Sequence, residues 1–157
     1  MFLAALPPDP PPIIGRATVI DGDTIEIRRQ RIRLWGIDAP ESRQSCTRSG
    51  QAYRCGQEAA NHLDRLARDK TVSCAPVGRP DRYRRIIAVC SISTGPCLDP
   101  PCIPTIQLNE LMVADGHAVD YPRYSRRAYA RVEADARRRQ AGVWAGEFQM
   151  PWEWRAR

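Results

Sequence analysis

The sequence has almost no lysine. Of its 24 lysine and arginine residues only Lys70 is a lysine, and the formal net charge is +6. Arginine binds phosphate through paired hydrogen bonds and keeps its charge when partly buried, so the excess favours a polyanionic partner. Genomic codon bias together with a solvated surface explains the same composition. Charge alone does not distinguish this explanation from a polyanionic partner.

The sequence also lacks a long apolar run. No stretch approaches the ~20 residues that a membrane-spanning helix needs, so we expect no membrane association. Residues 2–6 are apolar but too short for an intact signal peptide, which is compatible with a leader that has been removed. A chain of 157 residues fits a single domain with its own core.

A cysteine pattern typical of zinc sites is absent as well. There is no C-x-x-C pair, and the two histidines, His62 and His117, are far apart in the sequence. We therefore expect no structural zinc. The six cysteines are an even number, which favours disulfides and an oxidising compartment such as the periplasm or the exterior. Buried free thiols in a cytosolic protein are the alternative.

The first half of the chain predicts a strand meander. Residues 1–14 are rich in proline and are expected to form an extended arm. After Gly15, three short segments rich in β-branched residues predict antiparallel strands, at 16–20, 23–28 and 31–36. Asp21-Gly22 between the first two is a typical two-residue hairpin turn.

The second half adds helices and two strands. Apolar residues at helical spacing predict an amphipathic helix over 57–68. Strands are predicted over 71–77 and 84–92, with Cys74 and Cys90 at mid-strand on these neighbours, close enough for a bridge. The loop over 93–104 is expected to be closed by a Cys97–Cys102 bridge.

Two further helices complete the prediction. The first is short and covers 106–114. The second is rich in arginine and covers 126–140, with Ser125 as its N-cap and Gly142 at its C-terminal end.

Five short strands with a helix between the third and fourth predict a closed barrel of the OB type. The fold class is mainly β with about three helices, an α+β domain over residues 15–147 followed by a tail over 148–157. Barrels of this type bind oligonucleotides on one face, but that argument supports function only by analogy.

Three acids and an arginine lie close together where the chain reads DGDTIEIRRQRIRLWGIDAPE. Asp23 opens the second predicted strand, and Asp38 and Glu41 lie in the loop after the third. A meander brings the start of one strand beside the end of its neighbour, so the three acids can meet at one rim. Converging carboxylates repel one another and a phosphate, and a cation such as Ca²⁺, which prefers oxygen ligands, relieves both repulsions.

Two arginines are candidates to stabilise a phosphate. Arg33 lies on a strand among apolar residues and needs an anionic partner, and Arg85 lies where a polar loop becomes an apolar strand. Preorganised donors of this kind are worth about 10²–10³ each in rate. If Asp23 and Asp38 hold the metal, Glu41 is free to orient or deprotonate water. The set therefore points to phosphodiester chemistry.

Each of these signals also has a structural explanation. Asp21-Gly22 is above all a turn, and Asp23 alone is explained as a cap of that turn. Glu41 suits the positive end of a helix, and Arg85 is explained as one more surface arginine. Only the combination is informative.

The combined motifs resemble those of the staphylococcal nuclease (thermonuclease) family over residues 15–147. In chain order they are D-G-D-T at 21–24, R-x-x-x-x-D-x-P-E at 33–41, G-x-E-A at 56–59, D-[KR]-Y-x-R at 81–85, L-N-x-x-[LM]-V at 108–113 and G-[VL]-W at 142–144. The resemblance implies an OB-fold barrel and Ca²⁺-dependent hydrolysis of DNA and RNA that leaves 3′-phosphates. The implied metal ligands are Asp23, Asp38 and the backbone carbonyl of Ala39, which stands where the family has a threonine.

The resemblance also implies roles around the metal. Arg33 and Arg85 match phosphate-contacting arginines, and Glu41 matches the proposed general base. The residues implied to contact the nucleotide are Arg82, Tyr83 and Tyr124. Pro122 stands where the family has a second tyrosine, which leaves base stacking there open.

The cysteines depart from the best-known member of that family, which has none. Cys46 and Cys55 bracket the loop after Glu41, which is long and mobile in the family, so we predict a Cys46–Cys55 bridge that restrains it. With Cys74–Cys90 and Cys97–Cys102, this predicts three disulfides and therefore a secreted or periplasmic protein. We expect it to be a monomer that acts on DNA and RNA.

Two other functions remain open at this point. A non-catalytic OB-fold module that binds nucleic acid or a protein partner is the alternative, although degenerate copies usually lose some of these acids or arginines. A role in envelope polysaccharide is a weaker one, since no aromatic cluster is paired with acids as in glycosidases. Trp152 and Trp154 in the tail are expected to pack on the barrel or to stack on a base.

Overall fold

The computed structural model describes residues 5–96, 98–99 and 105–157. Its strands are β1 (Ile13–Gly15), β2 (Thr18–Asp21), β3 (Thr24–Ile27), β4 (Gln30–Leu34), β5 (Ile37–Asp38), β6 (Cys46–Arg48), β7 (Gln51–Tyr53), β8 (Val72–Pro76), β9 (Ile86–Ser93), β10 (Thr105–Gln107) and β11 (Val119–Asp120). Its helices are α1 (Cys55–Ala67), α2 (Leu108–Ala114), α3 (Pro122–Ser125), α4 (Ala130–Arg138) and α5 (Pro151–Ala156), with a 3₁₀ turn at Gly142–Ala145.

The main sheet closes on itself. Its strand order is β1-β8-β9-β4-β3-β2, with β10 added beside β9. The two edge strands, β1 and β2, are separated in the chain only by Arg16 and Ala17. The three Cα steps from Gly15 to Thr18 span at most about 11 Å, so both edges of the sheet belong to one interrupted strand. The result is the predicted five-stranded OB-type barrel in an α+β domain.

The pairing of β4 with β9 is parallel, whereas the other pairs are antiparallel. Ile32 lies opposite Ile86 and Leu34 opposite Ala88. The start of β9 therefore lies beside Ile32, one residue from Arg33, and the loop before β9 begins next to this part of β4. Sequence patterns give the strands but not this long-range parallel pairing.

The core fills the barrel with branched aliphatic side chains. Ile25, Ile27, Ile32 and Leu34 have no exposed surface, and they alternate with outward residues along β3 and β4. Burial of each such side chain contributes roughly 1.5–3 kcal/mol. Helix α1 closes one side of this core through Ala59, Leu63 and Ala67, which are one turn apart and buried.

Gly22 is needed for a close approach as well as for a turn. A Cβ at this position would lie 2.7 Å from the Cβ atoms of both Ala39 and Ala59. Because Gly22 has no side chain, the β2–β3 turn packs directly against α1 and the loop after β5. This packing sets the position of Asp23, the next residue.

Two of the three predicted disulfides are confirmed. Cys46 is bonded to Cys55 across the small β6–β7 hairpin, and Cys74 is bonded to Cys90 between β8 and β9. The predicted Cys97–Cys102 bridge lies outside the described residues. No described helix is long and apolar enough to span a membrane.

The predicted long helix over 126–140 is shorter in the structure. Ser125 ends the separate helix α3 instead of capping α4, and Arg126 and Arg127 have φ values of 52° and 68°. Two consecutive left-handed residues cannot continue a helix, so α4 begins at Ala130. The hydroxyl of Ser125 donates to Asp120 at 2.6 Å, which fixes this break.

Three other differences concern short elements. Strand pairing starts at Ile13, within the predicted arm, because β1 pairs with β8. The count of about three helices misses the short helices α3 and α5. Neither is long enough to show helical periodicity, and α5 is held by tertiary contacts described below.

Candidate active site

The predicted site side chains line one open cleft of about 890 Å³ at the end of the barrel. They are Asp23, Arg33, Asp38, Glu41, Arg82, Tyr83, Arg85 and Tyr124. Ala39 is buried behind them and has 2% exposed surface. Residues from positions 23 to 124 therefore meet in one place, as the motif order suggested.

Asp23 is held by the register of β3 and β4. The Leu34 amide donates to the Asp23 carbonyl at 2.8 Å, and the Ala39 amide donates to Asp23 Oδ2 at 2.8 Å. Arg33 Nη1 lies 3.3 Å from the same oxygen. Burial opposes ionisation of this carboxyl, but Arg33 and the Ala39 amide outweigh it and hold the pKa of Asp23 below its ordinary value.

Asp38 has no exposed surface and lies on β5, paired with Val119 of β11. Burial raises the pKa of Asp38, the guanidinium of Arg155 opposes that rise, and the Asp23 carboxylate adds to it. A fully buried carboxylate next to a second carboxylate needs positive charge nearby. The cleft is therefore expected to hold cationic groups in contact with Asp38.

Asp21 is a further acid of the cleft, one that motif reasoning assigned only to turn geometry. Its Oδ1 accepts a hydrogen bond from the Asp23 amide at 3.2 Å, and its side chain lines the cleft. Burial, followed by repulsion from Asp23, raises the pKa of Asp21 to about 7. No strand periodicity gave a signal for this, because Asp21 ends β2 whereas Asp23 lies in the turn before β3.

Arg33 is fixed by backbone carbonyls. Its Nη1 donates to the carbonyls of Leu34 and Ile37, both at 3.0 Å, and its Nη2 lies 3.4 Å from Asp38 Oδ1. Only 14% of the Arg33 side chain is exposed. Such an arginine keeps its position without a ligand, which suits a preorganised anion binder.

Arg85 is positioned by its own loop. Asp81 Oδ1 accepts the amides of Tyr83 and Arg85 at 2.9 Å, and Asp81 Oδ2 accepts Arg85 Nε at 2.7 Å. Arg85 Nη1 reaches Thr24 Oγ1 at 3.5 Å across the barrel end. Tyr83 is 63% exposed, and the guanidinium of Arg82 lies 4.9 Å from its ring centre.

Glu41 is the most accessible acid of the predicted set, with 33% of its side chain exposed. Its amide donates to Gln44 Oε1 at 3.1 Å, and Gln44 Nε2 donates to the carbonyl of Gln149 at 2.8 Å. Gln44 is fully buried, so this fixed side chain joins the loop after Glu41 to the C-terminal segment.

Arg155 on α5 enters the cleft and was missed by sequence reasoning. Its Nη1 lies 3.0 Å from Asp38 Oδ1, its Nη2 lies 2.8 Å from Asp38 Oδ2, and its Nη1 also lies 2.6 Å from Glu41 Oε1. These contacts raise the pKa of Arg155. An arginine so near the end of the sequence gives no local signal for such a contact.

Aromatic stacking holds α5 against the cleft. Trp152 stacks on Tyr121, with ring centres 5.2 Å apart and planes 6° apart, and Tyr124 packs edge-on to Tyr121 at 4.9 Å. This favours the packing interpretation for Trp152. Tyr124 stays 54% exposed at the cleft edge, where it is accessible to a base.

The donor set fits a hard cation once Arg155 moves. Asp21, Asp23, Asp38 and Glu41 offer carboxylate oxygens around one cleft, and the loop at Ala39 offers a carbonyl, the ligand types that Ca²⁺ prefers. Within the described residues, however, no three acidic, histidine or cysteine side chains are grouped as a ready metal site. Arg155 occupies both oxygens of Asp38 instead.

Comparison with known proteins agrees with the geometry. The family model described as staphylococcal nuclease homologue matches residues 31–146. The chain is 38% identical over 138 residues to the succinoglycan biosynthesis protein ExoI of Rhizobium meliloti, a match of 87% of this chain and 66% of that protein. It is 35% identical over 147 residues to the micrococcal nuclease of Shigella flexneri, covering 87% of this chain and 76% of that protein.

A plant relative is much longer. The chain is 34% identical over 136 residues to the probable staphylococcal-like nuclease CAN4 of Oryza sativa subsp. japonica, covering 85% of this chain but 23% of that protein. The chain thus spans less than two thirds of both the Rhizobium and the rice proteins, and their names describe those longer chains.

Proposed function

The chain belongs to the staphylococcal nuclease homologue family, and on that premise we propose that it is a Ca²⁺-dependent nuclease that hydrolyses DNA and RNA. One observation carries the proposal. Three acids at the predicted metal and base positions, Asp23, Asp38 and Glu41, line one cleft with the two arginines expected to bind phosphate. A binding-only module does not need this complete set.

In this mechanism Arg33 and Arg85 bind the scissile phosphate. Both guanidinium groups are held by acceptors inside the protein, Arg33 by two carbonyls and Arg85 by Asp81. Donors that are already in place stabilise the charge that develops on the phosphate without the cost of reorganisation. Arg82, Tyr83 and Tyr124 at the cleft edge support contacts to the sugar and base.

Glu41 is the proposed general base. It is the most accessible of the predicted acids, so an attacking water can approach it, and the Gln44 contact holds its backbone. Glu41 would accept a proton from water as the phosphodiester is attacked. In-line attack breaks the bond between phosphorus and the 5′-oxygen, which takes a proton from solvent and leaves as a hydroxyl, so that the 3′-phosphate expected for this family remains.

Asp23, Asp38 and the carbonyl of Ala39 are the proposed ligands of Ca²⁺. Burial and repulsion from Asp23 raise the pKa values of Asp21 and Asp38, and a bound cation would oppose both effects. The bound ion would neutralise charge on the phosphate and acidify its water.

We also propose that the protein works outside the cytosol, in the periplasm or the exterior, as a monomer. The two disulfides support this, because such bonds persist in oxidising compartments. Polysaccharide biosynthesis belongs to the name of the Rhizobium relative, and nothing in this cleft favours it over a phosphodiester.

Digestion assays test the proposal. Purified protein is incubated with single-stranded DNA and with RNA, in Ca²⁺ and in chelator, and product ends are assigned by sensitivity to a 3′-phosphatase. We expect cleavage in Ca²⁺ alone. Folded protein that cuts neither substrate under any condition would leave the non-catalytic OB-fold module as the better account.

A further inference from the structure

The C-terminal helix α5 delivers a guanidinium to the place where a cation is expected. Arg155 makes a bidentate contact with Asp38 and also contacts Glu41, with N–O distances of 2.6–3.0 Å. It thereby joins a proposed metal ligand to the proposed base. No other arginine of the described part of the chain contacts both acids.

Several independent contacts hold Arg155 there. Trp152 stacks on Tyr121, Gln44 bonds the carbonyl of Gln149 at 2.8 Å, and Thr47 and Glu147 exchange backbone hydrogen bonds at 2.8 and 3.0 Å. The segment leading to α5 is thus fixed to the same loop that carries Glu41. The arginine is built into the cleft and is not a freely moving tail residue.

A guanidinium and a divalent cation compete for these oxygens. Both oxygens of the fully buried Asp38 face Arg155, so an ion on the same carboxylate would lie within a few ångströms of a positive charge and be repelled by it. Resting on the proposed function, we propose that Arg155 is a positioning residue that holds Asp38 and Glu41 in place of the cation and leaves Asp38 when the ion binds.

This proposal has two consequences for the protein. Occupancy by Arg155 weakens cation binding, because the ion must displace the existing contact. Cation binding in turn loosens α5, because its main polar anchor is lost. The active cleft and the C-terminal helix are therefore coupled, and the coupling is reciprocal.

Calcium binding by Arg155→Ala tests the first consequence. We expect isothermal titration to give a Kd about tenfold lower than that of the parent protein, a change of about 1.4 kcal/mol. Damage to the fold would weaken binding, so a gain in affinity is diagnostic. Arg157→Ala is the matched control, since Arg157 lies at the end of the same helix, stacks on Trp154 and has no ion pair among the described residues.

Hydrogen exchange tests the second consequence. We expect the α5 amides of the parent protein to exchange faster in saturating Ca²⁺ than in chelator. Unchanged affinity in Arg155→Ala, or equal α5 protection in both conditions, would overturn the positioning role while leaving the nuclease proposal intact. If neither protein binds Ca²⁺, the metal assignment fails and this inference with it.

A separate observation concerns a basic hollow beside the cleft, lined by Arg29, Gln30, Arg31, Tyr83, Arg84 and Ile86. Its volume is about 340 Å³. All three arginines are exposed, and none forms an ion pair within 4.0 Å in the described part of the chain. Their charge is therefore available to a ligand.

The basic hollow continues the cleft. Tyr83 lines both spaces, and 63% of its surface is exposed. Single-stranded nucleic acid is held by OB-type proteins through a basic groove that follows the backbone, with aromatic rings under the bases. We infer that the basic hollow binds backbone phosphates of the substrate strand beyond the nucleotide at the scissile bond, which extends the proposed function to a strand several nucleotides long.

Binding of short and long oligonucleotides tests this second inference. In a Glu41→Gln background, which should bind without cutting, the pair Arg29→Gln/Arg31→Gln is compared with the pair Arg54→Gln/Arg131→Gln. The control arginines are also exposed and lie elsewhere, at the start of α1 and on α4. Anisotropy with a labelled dinucleotide and a labelled 12-nucleotide strand gives the affinities.

We expect the Arg29→Gln/Arg31→Gln pair to bind the 12-nucleotide strand about tenfold more weakly and to bind the dinucleotide as before. The slope of log K against log salt concentration should become shallower by about 1.4, or 0.7 per phosphate contact. An equal loss in the control pair, or an equal loss for the dinucleotide, would overturn the inference. If the Glu41→Gln background binds neither strand, the nuclease proposal itself is contradicted.

Discussion

At the scale of single residues, the cleft depends on side chains that are held before any ligand arrives. Arg33 is fixed by two carbonyls and Arg85 by Asp81, so each keeps its donors directed at the cleft. Gly22 acts through its missing side chain, which lets Asp23 lie against the loop at Ala39. Small changes at these positions should therefore affect rate or packing specifically.

We predict that Arg33→Ala and Arg85→Ala each lower kcat on single-stranded DNA by about 10² or more, because each removes a preorganised donor from the phosphate. Initial rates in saturating Ca²⁺ measure this effect. Arg131→Ala, which removes an equally charged but exposed side chain on α4, should leave the rate within about twofold of the parent. Equal rates for all three variants would refute the assigned roles.

We predict that Gly22→Ala destabilises the protein, by about 1–3 kcal/mol, because the added methyl would overlap the Cβ atoms of Ala39 and Ala59. Denaturant unfolding followed by tryptophan fluorescence measures the loss. Gly50→Ala is a useful comparison, since a Cβ at that position would meet no atom within 4 Å, although the φ of 74° adds a backbone cost. A fully stable Gly22→Ala would show that the turn can move away from α1.

At the scale of elements, disulfides and short helices fix loops that would otherwise be free. The Cys46–Cys55 bond closes the β6–β7 hairpin just after Glu41, and both cysteines are buried with Val143 of the 3₁₀ turn. Helix α5 then docks on this same region. The local structure around the proposed base is therefore held from two sides.

We predict that the double variant Cys46→Ser/Cys55→Ser loses roughly 2–3 kcal/mol of stability, the loop-closure entropy expected for a bridge that spans 9 residues. Chemical unfolding gives the difference. Because this hairpin directly follows the segment that carries Glu41, we expect kcat to fall more than KM rises. A variant as stable as the parent would indicate that packing alone orders the hairpin.

At the scale of the whole molecule, the closed barrel places residues from distant parts of the chain around one core. Helices α1 and α2 pack on that core, and the loop after α2 brings His117 against His62 of α1, with ring centres 4.2 Å apart. Burial, with the facing His62, lowers the pKa of His117 to about 4. Glu58, Asp115 and Arg65 are the other charged groups around it.

We predict that His117 makes the protein less stable in weak acid. Its pKa in the folded state lies below the ordinary value of 6.5, so the unfolded chain binds the proton first. This destabilisation by His117 is absent above pH 6.5. As the pH drops from 6.5 towards 4, the free energy of unfolding falls. Asp21, with its raised pKa, acts in the opposite direction.

The measurement is therefore a difference between two proteins. Unfolding free energies of the parent and His117→Gln are compared at several pH values from 8 to 4. We expect the difference in unfolding free energy, parent minus variant, to shrink or to change sign as the pH falls. A difference that stays constant would mean that folding does not lower the pKa of His117.

The barrel illustrates how far sequence patterns reach. The three-strand meander, helix α1, the two later strands and the Cys74–Cys90 bridge follow from local alternation, turn residues and spacing. The break at Arg126 and Arg127 does not, since left-handed arginines are rare and the Ser125–Asp120 hydrogen bond that holds them joins separate elements.

What the sequence alone determined is the set of residue types for the proposed chemistry, with their motifs and order: Asp23, Arg33, Asp38, Glu41 and Arg85. These are encoded locally, and their combination is informative without coordinates. Only the tertiary structure decided that Arg85 faces Thr24 through the parallel pairing of β4 with β9, and that Asp21 is an acid of the cleft. It also decided that Arg155 binds Asp38 over a separation of 117 residues. The physical reason is that contacts over such separations depend on how packed elements meet, and no local pattern records that meeting.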